Sequence, residues 1–304
     1  MTGSDPILTL DDLTAWTFRG TPLAVLGHPI KHSISPAMHN AVLAELACRE
    51  TRLAGWKYFR FDIPPDELPR ALERLHAAGF HGLNLTVPHK VIAFDRVTEI
   101  DPGARPVGAV NTLLRTAGGW RGFNTDGYGL TAAVREGLGL ELAGAHVILL
   151  GAGGAARGAG VECLRQGCAS LGILNRTRGN LEALLATLRP LAGRIPVHGG
   201  SGAERSADLP AGALLINATS AGLREGDPPP IDLAAVRRPV AVFDMIYNPP
   251  QTPLLRAAQA AGIPSANGLA MLVHQGAKAL EIWSGAAATQ TAPTMAAAAR
   301  AALA

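Results

Sequence analysis

Lysine is scarce in this chain. Lys31, Lys57, Lys90 and Lys278 are the only four in 304 residues, although Lys and Arg together number 27. Charge of either sign is thin, at 17% of residues with a net of +3, and no basic run interleaves with aromatics in the way that grips nucleic acid. Aromatic residues make up only 5%. The three cysteines, Cys48, Cys163 and Cys168, form neither a CxxC pair nor a Cys/His metal pattern. An odd, sparse set of this kind suits free thiols in a reducing compartment. A membrane-spanning helix needs about 18 or more consecutive apolar residues. The longest apolar stretch, 142–160, is broken by His146, Arg157 and several glycines. Residues 1–13 carry Asp5, Asp11 and Asp12 and lack a basic segment ahead of an apolar core, so they do not read as a secretory signal. The expected compartment is the cytoplasm, with neither nucleic acid nor membrane as partner.

What is present is apolar residue in quantity, 48% of the chain, with 35 glycines and 22 prolines as punctuation. That is enough to build cores and too uncharged for disorder. Strand-like and helix-like segments alternate, which points to an α/β architecture with mostly parallel sheets. Strands are expected at 22–26, 59–63, 80–85 and 146–150, then at 171–174, 196–198, 213–216 and 240–243. The segments 109–115 and 120–123 read as a hairpin turned by Gly118-Gly119. A helix is expected to open at Ser35-Pro36, with Ser35 as N-cap, and another at Pro65-Asp66, stopped by Gly79. An amphipathic helix from Gly268 to about Trp283 and an alanine-rich helix close the chain. The first 20 residues carry no assigned role.

The strand at 146–150 runs straight into Gly151-Ala152-Gly153-Gly154-Ala155-Ala156. Gly151, Gly153 and Ala156 fill the G-x-G-x-x-G/A positions of a dinucleotide-binding turn, where backbone approaches a pyrophosphate at a helix N-terminus. A plain tight turn would use the same glycines. The context of strand before and helix after favours the nucleotide. The next strand ends in Asn175-Arg176-Thr177-Arg178, where an NAD enzyme carries an acidic residue for the ribose 2′-hydroxyl. An arginine there suits a 2′-phosphate, and hence NADP, although many arginines after strands are simply solvated.

Three polar segments also follow strands: His32-Ser33-Ile34-Ser35-Pro36, Asn84-Leu85-Thr86-Val87-Pro88-His89-Lys90, and Asn111-Thr112 with Asn124-Thr125-Asp126-Gly127. They offer hydroxyls, amides, one lysine and one carboxylate, a set matched to a small, heavily hydroxylated carboxylic acid. They offer no nucleophile elbow and no metal-ligand cluster.

In that order, His-Ser-x-Ser-Pro, Asn-x-Thr-x-Pro-x-Lys, Gly-Ala-Val-Asn-Thr, Asn-Thr-Asp-Gly, Gly-Ala-Gly-Gly-Ala-Ala, Asn-Arg-Thr, Asn217-Ala218-Thr219-Ser220, Asp244-Met245-Ile246-Tyr247-Asn248-Pro249 and Gly268-Leu269-Ala270-Met271-Leu272-Val273-His274-Gln275 resemble the successive signatures of the shikimate dehydrogenase family. The resemblance runs from about residue 21 to residue 283. It implies an N-terminal α/β substrate domain with a mainly parallel sheet, residues 1–125 completed by helices over 268–304. A Rossmann-like NADP-binding domain would follow over 126–267, with a cleft between the two. It implies reversible NADPH-dependent reduction of 3-dehydroshikimate to shikimate by a monomer or homodimer.

By the same resemblance Lys90 and Asp126 form the acid/base pair, against the alternative of a weak surface ion pair. Ser33 and Ser35 bind the substrate carboxylate. Asn84, Thr86, Asn111 and Gln275 hold ring hydroxyls, and Tyr247 reaches the substrate or merely packs. The cofactor falls to Gly151, Ala152, Gly153, Gly154, Ala155, Asn175, Arg176, Thr177, Asn217, Thr219, Met245, Gly268 and Met271. His89 and His274 read as incidental. A quinate- or aminoshikimate-using paralogue, a folate dehydrogenase and a non-catalytic NADP sensor are the competing readings. Ser35 leans towards shikimate over quinate, and the presence of both Lys90 and Asp126 speaks against a pure sensor.

Overall fold

A computed structural model of the chain describes residues 6–200 and 210–304. They fall into two compact units: Met1–Thr125 with Gln275–Ala304, and Asp126–His274.

The first unit contains β1 (Thr21–Gly27), α1 (Ser35–Ala47), β2 (Trp56–Asp62), α2 (Leu68–Ala77) and β3 (Gly82–Leu85). These are followed by the single-turn α3 (His89–Ile92), β4 (Glu99–Ile100), β5 (Thr112–Thr116) and β6 (Gly119–Phe123). Its six-stranded sheet has the order β2-β1-β3-β5-β6-β4. β2, β1 and β3 run parallel, whereas β5 is antiparallel to both β3 and β6. The sheet is therefore mixed, because the hairpin turned at Gly118-Gly119 joins it from the middle outward. β1 is buried along Pro22–Gly27, as expected of a central strand covered on both faces.

The start of the chain has a structural part that sequence reading missed. Leu8 bridges in parallel to Phe61, donating to the Arg60 carbonyl at 2.9 Å and accepting from the Asp62 amide at 2.8 Å. Leu10 and Leu13 then enter the core formed by Leu26, Phe61, Leu72 and Phe80. Trp16 packs against Phe59 and Phe80, with ring centroids 5.1 and 5.0 Å apart. Residues 8–16 thus cover part of the outer strand, a protection that exposed sheet edges require.

The second unit contains α4 (Asp126–Leu138), β7 (His146–Leu150), α5 (Gly154–Arg165), β8 (Ser170–Leu174), α6 (Arg178–Leu188), β9 (Val197–Gly200), β10 (Leu214–Asn217), β11 (Ala241–Asp244), α7 (Pro253–Ala260) and β12 (Ser265–Asn267). Its sheet, β12-β11-β10-β7-β8-β9, is parallel throughout. Read from β9, this is the doubly wound order 3-2-1-4-5-6, with β7 and β10 flanking the point where the winding reverses. Two helices end the chain: α8 (Leu269–Ser284), whose residues from Gln275 onward belong to the first unit, and α9 (Ala288–Leu303). Among the described residues, no helix is long and apolar enough to cross a membrane. Nor does any cluster of His, Cys, Asp and Glu among them suit a metal ion.

Candidate active site

In the first unit, the loops after β1 and β3 lie side by side, since the Thr86 amide donates to the Leu26 carbonyl at 3.0 Å. The loop after β1 carries Ser33 and Ser35. Arg60 braces it by donating to the carbonyls of Lys31 at 2.8 Å and Ser33 at 3.3 Å. Ser35 is the first residue of α1 and not its cap. Ile34 holds the cap position, and no side chain caps that end. The Ser35 amide donates to Ser33 Oγ at 3.4 Å.

Lys90 is on α3, and its carbonyl accepts from the Val110 amide at 2.9 Å, which fixes it beside the Asn111 segment. His89, read as incidental in the sequence, is fully buried and bonds the Ile63 carbonyl through Nε2 at 2.8 Å. It ties the turn that carries Lys90 to the end of β2, and burial lowers its pKa.

The amides form one connected network. Tyr58 donates to Asn84 Oδ1 at 2.8 Å. Asn84 Nδ2 donates to the Asn111 carbonyl and to Thr112 Oγ1, both at 3.1 Å. Asn111 Nδ2 donates to Thr125 Oγ1 at 3.0 Å and to Gln275 Oε1 at 3.3 Å. The Thr125 amide donates back to Asn111 Oδ1 at 2.8 Å. Asn84 and Asn111 are both buried, so each bond is made away from competing water. Ser33, Ser35, Asn84, Thr86, Lys90, Asn111 and Gln275 are all in this unit. Asp126, which opens α4 directly after Thr125, belongs with Tyr247 to the second. Tyr247 is half-buried, and burial raises its pKa.

The second unit builds a nucleotide-type turn. Gly151 adopts φ +106°, and an added Cβ would sit 2.9 Å from Thr219 Cγ2 and 3.2 Å from the Ala218 carbonyl. Only glycine both takes that conformation and allows the approach, which falls at the reversal point between β7 and β10. Gly153 caps α5, and the space beside Gly153 and Gly154 is open. Ala152 is half-buried, and Gly153, Gly154 and Ala155 are exposed around that helix N-terminus. After β8, Asn175 Nδ2 donates to the Thr177 carbonyl at 2.8 Å, shaping the turn on which Arg176 stands exposed. The glycine turn, the free helix end and the exposed guanidinium fit the pyrophosphate and 2′-phosphate of NADP.

At the other end of this unit the organising residue is Asp244, to which sequence reading gave no role. Its carboxylate accepts from Asn217 Nδ2 at 2.9 Å, from Thr252 Oγ1 at 2.6 Å and from the Ile246 amide at 3.1 Å. Burial raises its pKa against the pull of these three donors. Asn217, held in this way, accepts from the Thr219 amide and hydroxyl at 3.0 and 2.7 Å. Asn217 therefore uses its side chain to shape the turn after β10. The Met245 amide donates to the Asn217 carbonyl at 3.0 Å. A Cβ on Gly268 would run into the Met245 carbonyl, so Gly268 has to be glycine for the start of α8 to pass; half-buried Met271 follows one turn on.

These features define a dinucleotide-binding α/β protein with a separate unit rich in buried hydroxyls and amides. Comparison with known proteins narrows the class. Residues 25–113 match the shikimate dehydrogenase substrate binding domain, and residues 268–299 match the shikimate 5′-dehydrogenase C-terminal domain. The NADP(+) shikimate dehydrogenase of Symbiobacterium thermophilum is 40% identical over 88% of this chain and 90% of its own. That of Methanopyrus kandleri is 38% identical over 86% and 90%. The crystal structure of the Thermus thermophilus shikimate 5-dehydrogenase, in complex with NADP(H) and shikimate, superposes with a TM-score of 0.80. It is 34% identical, and the match covers 93% of this chain and 99% of that one. The chain belongs to the shikimate dehydrogenase family.

Proposed function

We infer that the protein catalyses the reversible, NADPH-dependent reduction of 3-dehydroshikimate to shikimate in the shikimate pathway. The observation that carries this reading is the connected set Tyr58, Asn84, Asn111 and Gln275. It is a run of hydroxyls and amides suited to a polyhydroxylated acid, in a chain 40% identical to a relative of that name. Residues 1–125 with 275–304 serve the substrate and 126–274 the cofactor, in a cytoplasmic monomer or homodimer.

Ser33 and Ser35 take the substrate carboxylate through their hydroxyls. Asn84, Thr86, Asn111 and Gln275 take ring hydroxyls, and Tyr247 offers a further phenol hydroxyl. Gly151, Gly153 and Gly154 admit the pyrophosphate to the N-terminus of α5 with Ala152 and Ala155. Arg176, flanked by Asn175 and Thr177, takes the 2′-phosphate. Thr219, Met245, Gly268 and Met271 bound the nicotinamide end, with Asn217 setting the turn. NADPH, when bound, supplies the hydride. The carbonyl oxygen must gain a proton as its carbon gains that hydride, and must lose it in the reverse direction. Lys90 and Asp126 supply and take up that proton.

The test is absorbance at 340 nm with purified protein, shikimate or quinate being offered with NADP or NAD in all four combinations. Shikimate with NADP should give the fastest rate; no NADP reduction by shikimate overturns the reading.

A further inference from the structure

We propose that Arg60 is a positioning residue for the substrate carboxylate: from β2, its guanidinium holds the loop that presents the Ser33 hydroxyl. The kinetic part of this inference rests on the functional reading above.

Strand alternation puts Tyr58, Arg60 and Asp62 on one face of β2, opposite Phe59 and Phe61, which pack against Phe80. Each of the three ties the strand to another segment. Tyr58 donates to Asn84 at 2.8 Å, and Asp62 bonds His28 Nδ1 at 2.7 Å. Arg60 donates to the carbonyls of Lys31 at 2.8 Å and Ser33 at 3.3 Å. The loop 28–33 is thus pinned to β2 at both of its ends. Both Arg60 bonds leave from Nη1, which carries two hydrogens. Carbonyls two residues apart therefore turn towards a single point, and the backbone from Lys31 to Ser33 curls around it.

Ser33 is held through both of its oxygens. Its carbonyl accepts from Arg60, and its Oγ accepts from the Ser35 amide at 3.4 Å. The Ser33 amide is spent on the Ile30 carbonyl at 3.0 Å. The hydroxyl proton is then its remaining donor, and a carboxylate is a strong acceptor for it. Without Arg60, the carbonyls of Lys31 and Ser33 lose their charged donor and the hydroxyl moves with the loop. Arg60 itself stands on a fixed base. Leu8 bonds the Arg60 carbonyl and the Asp62 amide, so the N-terminal segment clamps the backbone of both pinning residues.

Arg60→Met keeps much of the stem and removes both bonds. Hydrogen bonds from a charged donor correspond to about tenfold or more in an equilibrium constant. KM for shikimate should therefore rise about tenfold, with kcat and the KM for NADP changed far less. A double-mutant cycle with Ser33→Ala separates positioning from ordinary packing. Because Arg60 acts through Ser33, Arg60→Met should raise the shikimate KM far less in the Ser33→Ala background than in the wild type. Equal fold-changes in both backgrounds, or an unchanged shikimate KM in Arg60→Met, overturn the proposal. If Arg60→Met does not fold, Arg60→Lys serves instead. Its shorter stem does not bring an ammonium to both carbonyls, so the shikimate KM should again rise, and a wild-type value overturns the proposal.

Hydrogen exchange followed by NMR needs no turnover. The Ser33 amide should exchange faster in the Arg60 variant than in the wild type, while the amides of β8 in the second unit keep their rates. Unaltered exchange at Ser33 shows that the loop stands without Arg60 and overturns the inference. If the wild-type protein turns over no shikimate, the functional reading fails, and this exchange rate still decides whether Arg60 holds the loop.

Discussion

His39 lies flat on Tyr58, with ring centroids 4.1 Å apart and planes within 1° of parallel. His39 is fully buried, and neither ring nitrogen has a hydrogen-bond partner. It acts as a flat apolar platform, and burial lowers its pKa to about 3.

A base whose folded pKa is below its unfolded value of 6.5 binds more protons unfolded. Its contribution to stability is therefore present above pH 6.5 and is lost progressively as pH falls towards 3. Two pH units within that window correspond to roughly 2.7 kcal/mol. His39→Phe keeps the ring on Tyr58 and removes the titration. Melting temperatures measured from pH 7 to pH 4.5 should fall less steeply for the variant than for the wild type. Parallel curves would falsify the assignment.

Lys90→Ala should lower kcat by about 10²- to 10⁴-fold, the range for a positioned acid/base group. Shikimate binding, followed by equilibrium titration, should change far less. A variant that turns over at the wild-type rate removes Lys90 from the chemistry.

Arg176→Ala should act on cofactor choice alone. A hydrogen bond to a charged partner makes a difference of about tenfold or more, so the KM for NADPH should rise by that amount while the KM for NADH stays level. Steady-state kinetics with both cofactors read this directly. The same NADPH/NADH preference in variant and wild type assigns the 2′-phosphate elsewhere.

Gly268→Ala should unfold at lower temperature, because the new Cβ meets the backbone carbonyl of Met245 and no side chain can give way. Overpacking of this kind destabilises by about 2 kcal/mol, which lowers a melting temperature by roughly 4 °C or more in a unit of this size. Calorimetry decides the point, and an unaltered transition shows that α8 shifts freely at its start.

The strands of the second sheet were legible because buried parallel strands are written as unbroken apolar runs, as at 147–150 and 241–243. β12 was not, because Ser265-Ala266-Asn267 has little strand character and is held extended by pairing with β11. The glycine turn announced itself by composition. Asp244 did not, since nothing in one sequence shows that its three donors come from residues 217, 246 and 252. Tyr58 was hidden for the same reason: it sits mid-strand among ordinary β residues, and its hydroxyl's partner Asn84 is 26 positions away. The N-terminal segment carried no motif, and its value came from packing against β2. Local chemistry was readable. Long-range pairing was not.

The helix α9 lies along α1, and Thr294 donates to Glu45 at 2.6 Å. Every residue of the unit that contains Asp126 is therefore made before the helix that completes the unit containing Lys90. During synthesis, the α1 surface stays uncovered until α9, made some 240 residues later, has left the ribosome.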